Sequence, residues 1–361
     1  MISEATFSME SKSTTHVLKG LEADNLLAFL ALLGLLDALD TARPKWRTRV
    51  AWRGMPPQAG LELAAEVSTD GLLAGAKAGL RMLEKRHARV CSVLECPDSG
   101  MERCKSCRGI DLKSAADDFR KIALALRGKR EQASLIAALA SDGALAREPK
   151  GSRPRVEPTS LCAVSGQGHQ HFLSRLIAML RLPGLEADGK SQKPRDGRSG
   201  RKPKSETRSL LDELRQALFE PWRYEDGTES FRWDPIEDRR YAYQWGDPSE
   251  NANRIGTVPG ANLLAAFGLA ALTSAPTASG LATRGVFRAT GQVRVCWPLV
   301  AVPTSLAGHV ALLSHPWLSN EERAPQLAAY GVLAVARSQR YGVPGAAGTY
   351  FNFTRARVQY L

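Results

Sequence analysis

Asn25-Leu26-Leu27-Ala28-Phe29-Leu30-Ala31-Leu32-Leu33-Gly34-Leu35-Leu36 holds no charged side chain and, after Asn25, no polar one. Apolar residues on every side of a 3.6-residue period predict a helix with no solvent face, buried at the centre of a fold. Asp24 or Asn25 supplies the cap at its start, and the helix is expected to run to about Leu39. The run is too short to cross a bilayer, so it marks a core and no membrane partner is expected.

Downstream the period changes to two. Trp46, Thr48, Val50 and Trp52 share one face, and Arg47, Arg49, Ala51 and Arg53 the other. After the turn Gly54-Met55-Pro56-Pro57, Leu61, Leu63, Ala65 and Val67 alternate with Glu62, Ala64 and Glu66. This predicts a β-hairpin with one apolar face. The hairpin arginines share a solvent face with Glu62 and Glu66, and cross-strand pairing of opposite charges explains them better than contact with a nucleic acid. Residues 1–15 read as a disordered tail. Further helices are expected over 70–87, 112–126, 132–140 and 206–219. A second apolar helix opens with Pro259-Gly260-Ala261-Asn262-Leu263-Leu264-Ala265 and echoes Asn25-Leu26-Leu27-Ala28. Strands are expected over 284–288 and 292–300, a helix over 325–339 and a closing strand over 349–360. Helices in blocks, without βαβ alternation, define an α+β fold with antiparallel strands. Two lobes, 1–182 and 209–361, are expected on either side of a linker, 183–208, with a zinc-stabilised insertion in the first.

That insertion rests on Cys91, Cys96, Cys104 and Cys107, spaced C-x4-C-x7-C-x2-C. Pro97, Asp98, Ser99 and Gly100 let the chain fold back, and Cys104-Lys105-Ser106-Cys107 has the form of a zinc knuckle. Four thiolates close a tetrahedral shell and point to structural Zn²⁺, whereas a catalytic ion keeps an open position. Two disulfides are the alternative and require an oxidising compartment. The polar start of the chain, with Glu4, Glu10 and Lys12, lacks a secretory pattern, and a cytoplasmic location is expected. Cys162 and Cys296 stand in apolar contexts and read as buried small hydrophobes.

The 361 residues carry a formal net charge of +12, which favours a polyanionic partner such as nucleic acid. Arg86, Arg89, Lys105 and Arg108 surround the cysteines, where a metal-braced loop can grip phosphates. Ser165-Gly166-Gln167-Gly168-His169-Gln170-His171-Phe172 opens an expected helix whose Gln167 and His169 can reach phosphate or base edges. An ordinary glycine-rich helix entry fits the same residues. Lys190, Lys193, Arg195, Arg198, Arg201, Lys202 and Lys204 stud a segment poor in apolar residues, which either orders on a nucleic-acid backbone or stays a solvated linker. Trp222, Tyr224, Phe231, Trp233, Tyr241, Tyr243 and Trp245, interleaved with arginines, can stack on bases; a packed aromatic subcore is the favoured reading. No nucleophile–base pair stands out. Ser165 lacks the strand–turn–helix context of a nucleophile elbow, and Asp234 and Asp247 belong to Asp-Pro turns. The protein is expected not to be an enzyme.

Four strings together resemble one family. They are Leu18-Lys19-Gly20-Leu21 with Asn25 to Leu35; Ser165 to Phe172 with Leu173; Trp233-Asp234-Pro235 with Asp238-Arg239-Arg240-Tyr241; and Thr257-Val258-Pro259-Gly260-Ala261-Asn262. They are similar to the large-subunit proteins of compact type I CRISPR–Cas systems, the type I-G or I-U variant. The likeness is one of pattern, scattered over most of the chain. It implies a non-catalytic subunit of an RNA-guided surveillance complex (Cascade), with a guide RNA–Cas protein assembly, double-stranded target DNA and a nuclease-helicase as partners. Such a subunit binds the duplex, checks the short adjacent motif (the PAM) and helps to open the R-loop. Guide pairing supplies the long recognition, so the protein needs only phosphate grip and a short base readout. The resemblance assigns no PAM-reading residue, does not include the cysteine cluster, and gives no reason to expect a homo-oligomer.

Two other classes compete. A stand-alone zinc-containing nucleic-acid-binding regulator needs a recognition helix beside the metal and dimer symmetry, yet the segment 113–126 carries Asp117 and Asp118, which repel DNA. A metal-dependent hydrolase or nuclease needs clustered carboxylates, and the acidic residues are scattered.

Overall fold

In the computed structural model, residues 13–88, 116–147, 150–162, 209–224, 230–237, 256–289, 291–345 and 348–361 are described. The first part runs β1 (Thr14–Glu22), α1 (Leu26–Ala42), β2 (Arg49–Arg53), β3 (Gln58–Leu63) and α2 (Thr69–Ala88). Next come α3 (Ala116–Ala125), α4 (Arg130–Leu139), β4 (Ala140–Leu145) and β5 (Val156–Pro158). The remainder holds α5 (Leu210–Phe219), α6 (Pro259–Gly268), β6 (Ser274–Thr277), β7 (Gly280–Thr283), β8 (Val286–Ala289), β9 (Gln292–Val300), α7 (Leu306–Leu313), β10 (Val332–Gly345), β11 (Gly348–Phe353) and β12 (Arg357–Tyr360).

The apolar run is α1, and Leu26 to Leu36 are all buried. Asn25 caps the helix, its side-chain oxygen accepting from the Leu27 amide at 2.9 Å and the Ala28 amide at 3.4 Å. Pro44 cannot continue it, and the chain turns through a 3₁₀ segment, Pro44–Trp46. Two helices pack against α1 through glycine. A Cβ on Gly34 would lie 1.8 Å from the Leu264 carbonyl oxygen of α6, and one on Gly268 would lie 2.0 Å from that of Leu30. On another side, a Cβ on Gly79 of α2 would lie 1.9 Å from the Ala38 oxygen. Backbone meets backbone at these crossings, which only a residue without a side chain permits.

Both principal sheets are antiparallel. The smaller has the order β1-β3-β2, with Val50 opposite Leu61 and Trp52 opposite Ala59. The free edge of β2 exchanges two hydrogen bonds with Thr304, each 2.9 Å, which stitches this sheet to the chain leaving β9. In the larger sheet, β9 covers one edge of β10, while β12 and then β11 share the other. Trp297 of β9 stacks on Phe29 of α1 at 5.4 Å, so the sheet and the helix block share a core. One hydrophobic cluster extends from Leu18 to Ala356 and draws on both sides of the expected 183–208 linker. The fold is α+β. Among the described residues no helix is long and apolar enough to cross a membrane.

Three local expectations are corrected. The helix expected over 325–339 is a 3₁₀ turn, Ala324–Tyr330, followed by the long strand β10. Gly331, at φ +76°, ends the turn. Beyond it Ala334 and Ala336 face the main core while Val332 and Val335 face a smaller cluster with Leu318 and Leu327. Burial on both faces erases the polar alternation that marks a half-exposed strand. The closing strand is two strands, broken at Thr354-Arg355-Ala356. Thr14 and Thr15, expected in a disordered tail, begin β1, where His16 and Leu18 point inward between exposed Thr15, Val17 and Lys19.

His309 of α7 is fully buried, and neither ring nitrogen has a hydrogen-bond partner among the described residues. Burial lowers its pKa from 6.5 to about 4. The unfolded chain therefore binds a proton that the folded chain refuses, and stability present above pH 6.5 is lost as pH falls through that window toward about 4. The expected loss is about 2 kcal/mol on going from about pH 7 to pH 5. Burial raises the carboxyl pKa of Asp37, Asp40 and Asp234, which acts with the opposite sign. Denaturant titration of the wild type and His309→Leu at both pH values cancels those common contributions. Equal pH slopes for the two proteins would mean that the ring is not sealed from water.

Candidate nucleic-acid interface

The corner from β1 into α1, Glu22-Ala23-Asp24-Asn25, gathers segments from far along the chain. Trp297 Nε1 donates to the Ala23 carbonyl at 3.1 Å, and the Ala356 amide to the Asp24 carbonyl at 2.8 Å. Arg355 reaches Glu22 at 2.7 Å and Asp24 at 2.8 Å. Burial works against this guanidinium, but the two carboxylate bonds prevail and raise its pKa. Asn25 Nδ2 donates to Asp234 Oδ1 at 3.2 Å, and the Ile236 amide donates to the same oxygen at 3.1 Å. Burial raises the Asp234 carboxyl pKa, while bonds from Ile236, Asn25 and Tyr224 pull the other way. Nearby, Asn262 Oδ1 accepts from the Phe231 amide at 3.4 Å. Asn25, Asp234 and Asn262, which belong to three of the four strings quoted above, thus meet around the segment 231–234. The arrangement is structural. Phe231 and Trp233 are stacked at 4.7 Å and buried, with Trp233 Nε1 bonded to the Leu161 carbonyl, so these two aromatics form a subcore and offer no face to a base.

Of the residues expected to hold metal or nucleic acid, Arg86 is described. Its guanidinium is turned to protein, 3.7 Å from Asp37 and 3.6 Å from Glu131, with a 3.1 Å bond to Thr41 Oγ1. An arginine held by two carboxylates is a poor phosphate contact, which corrects the expectation that Arg86 belongs to a free basic surface. Cys91, Cys96, Cys104, Cys107, Arg89, Lys105, Arg108, Gln167, His169, Lys190, Lys193, Arg195, Arg198, Arg201, Lys202 and Lys204 lie outside the described residues. Among the described residues no group of three or more His, Cys, Asp or Glu side chains is placed to hold a metal. Cys162 and Cys296 are buried free thiols, and burial pushes Cys296 up to about 12 and Cys162 higher, which leaves both unreactive.

The described surface instead offers a basic turn between α1 and β2. Arg43, Lys45, Arg47 and Arg49 are all exposed, and none has a carboxylate within ion-pairing distance among the described residues. Trp46 braces the turn, packed against Gly75 of α2, with Arg43 5.9 Å from its ring centre. Arg47 takes a left-handed conformation, φ 47°, that ends the 3₁₀ segment. The sequence pattern placed these arginines on a strand whose charges are neutralised across the hairpin. That holds for Arg53, 2.7 Å from Glu62. It fails for Arg47, which precedes the strand, and for Arg49, which opens β2 opposite Glu62 but makes no ion pair with it among the described residues. Pro44 was the available signal, because a proline favours the first position of a helical turn and so delays the start of the strand.

The chain matches no protein-family model, no curated protein and no solved structure.

Proposed function

We propose that the chain is a non-catalytic nucleic-acid-binding subunit, the DNA-binding large subunit of an RNA-guided type I surveillance complex. In this reading it holds target duplex and PAM, assists R-loop formation and recruits the nuclease-helicase. The observation that carries it is uncompensated positive charge: a net +12 overall, of which four exposed cations stand together on the turn from Arg43 to Arg49. The surveillance-complex assignment draws on the resemblance, and three of its strings supply Asn25, Asp234 and Asn262 to one joint. Purification from the native host tests the whole reading. A guide RNA and a repeating backbone subunit should accompany the chain; a lone dimer on promoter DNA would replace this reading with a regulator.

The turn itself is testable. Replacing Arg43, Lys45, Arg47 and Arg49 with glutamine should weaken duplex binding and lower the slope of log K against log salt by up to ~4, since each phosphate contact contributes ~0.9. An unchanged slope would remove the turn from the interface.

The cysteines are proposed as a structural Zn²⁺ site. Purified protein should then contain about one zinc per chain, and Cys104→Ser should lower the melting temperature and zinc content together. Metal-free protein of wild-type stability would refute the site.

A further inference from the structure

A cleft of about 370 Å³ opens where α1, α4, α6 and α7 meet the turn carrying Arg284. Three guanidiniums line it, and they are not equivalent. Arg86 is neutralised by Asp37 and Glu131, the two carboxylates on the cleft wall. Arg284 is anchored by neutral acceptors, with Nε on Ser314 Oγ at 2.8 Å and Nη1 on the Ala271 carbonyl at 2.9 Å. Among the described residues Nη2 has no acceptor and is left to donate. Arg130, on the first turn of α4, has no carboxylate within 4.0 Å among the described residues, nor has Arg284. Burial lowers the Arg284 pKa, and repulsion by Arg130 lowers it further. Arg130 and Arg284 thus face the cavity without an ion pair of their own among the described side chains, and the three arginines against two carboxylates leave the lining with a net positive charge. Half-buried Leu306 and Val310 of α7 supply accessible apolar lining, while Leu33 and Phe267 border the cleft from the buried core.

We propose that this cleft binds a phosphorylated nucleoside, its phosphate between Arg130 and Arg284 and its base against Leu306 and Val310. The forked donors of arginine match phosphate oxygens, and the volume falls at the small end of pockets that hold a ligand of this size. The site is separate from the basic turn and does not depend on the assembly proposed above. Its ligand is either a free nucleotide or the phosphorylated end of a strand, which present the same chemistry to the two arginines.

The test is calorimetric titration of the full-length protein with inorganic phosphate, adenosine, AMP, and a short single strand with or without a 5′-phosphate. AMP or the phosphorylated strand should bind more tightly than phosphate or adenosine alone, and Arg284→Gln should weaken the binding by about ten-fold or more. Preference for AMP or for the phosphorylated strand identifies the source, and either supports the site. Arg130→Gln changes an exposed side chain, keeps the test meaningful if Arg284→Gln fails to fold, and should weaken binding as well. Absence of AMP and phosphorylated-strand binding at millimolar concentration, or binding unaffected by either variant, would overturn the proposal. Neither result would bear on whether the basic turn holds duplex DNA.

Discussion

Gly34→Ala and Gly268→Ala are each expected to leave the chain without a stable fold. The atoms a new methyl would meet are backbone: the Leu264 carbonyl oxygen at 1.8 Å from one and the Leu30 carbonyl oxygen at 2.0 Å from the other. A side chain could rotate away, but a helix carbonyl cannot, so α1 and α6 would have to separate. Separation opens gaps among Phe29, Leu30, Leu33, Leu264 and Phe267, all essentially buried, and forfeits dispersion contacts along the crossing. Overpacking costs typically ~1–3 kcal/mol where neighbours adjust. Where they cannot, the cost exceeds ~4 kcal/mol, a large part of the stability of a domain. Gly128→Ala is the control. Gly128 has a left-handed φ of 78° and nothing within 4 Å of an added Cβ, so only the backbone preference of ~1–2 kcal/mol is lost. Soluble yield and thermal melts should separate the variants clearly. A Gly34→Ala protein that melts within a few degrees of wild type would mean that the helices do not cross this closely.

Asn25→Ala is expected to cost about 3 kcal/mol, because one side chain serves two structures. Its oxygen caps α1, and loss of a cap costs about 1 kcal/mol. Its amide nitrogen donates to Asp234, which is only 3% exposed, and a buried carboxylate that loses a donor costs a further ~1–3 kcal/mol. Asn25→Asp separates the two roles. It preserves the cap but sets a second carboxylate against the first, so it should be unstable at neutral pH. Part of that loss should return on acidification, when the pair can share a proton. The double exchange Asn25→Asp with Asp234→Asn restores one donor and one acceptor and should recover most of the stability. Urea titrations at neutral and mildly acidic pH measure all of these. Full additivity of the two single changes in the double variant would show that the residues do not interact.

The helices with one-sided or all-sided apolar patterns were readable because local period reports burial directly. α1 needed only its own residues and Asn25. The capped start of α5, with Ser209 and Asp212 bonded reciprocally, falls within the expected 206–219 helix. β10 was not readable. Ala328, Ala329, Leu333, Ala334 and Ala336 suit a helix, and cores on both faces remove the polar positions that would have betrayed a strand. Charges were the least legible feature. Arg86 sits in a run of cations in sequence, yet its partners Asp37 and Glu131 come from other helices. Arg130 and Arg284, in contrast, gain importance only because the fold brings them to one cavity and gives neither an ion-pair partner among the described side chains.

The crossing of α1 and α6 also has a consequence for synthesis. β1 precedes α1, and β2, β3 and α2 follow it closely in the chain, so these elements can cover part of it soon after it emerges. The α6 side has no such early cover, since Gly268 is the last residue of that partner. At ~5–20 residues per second, that leucine-rich face waits roughly 10–50 s on the ribosome before its partner exists. During that interval the nascent chain presents a bare apolar helix, the kind of segment that chaperones bind, so its yield in a cell depends on the pace of translation as well as on the stability of the finished molecule.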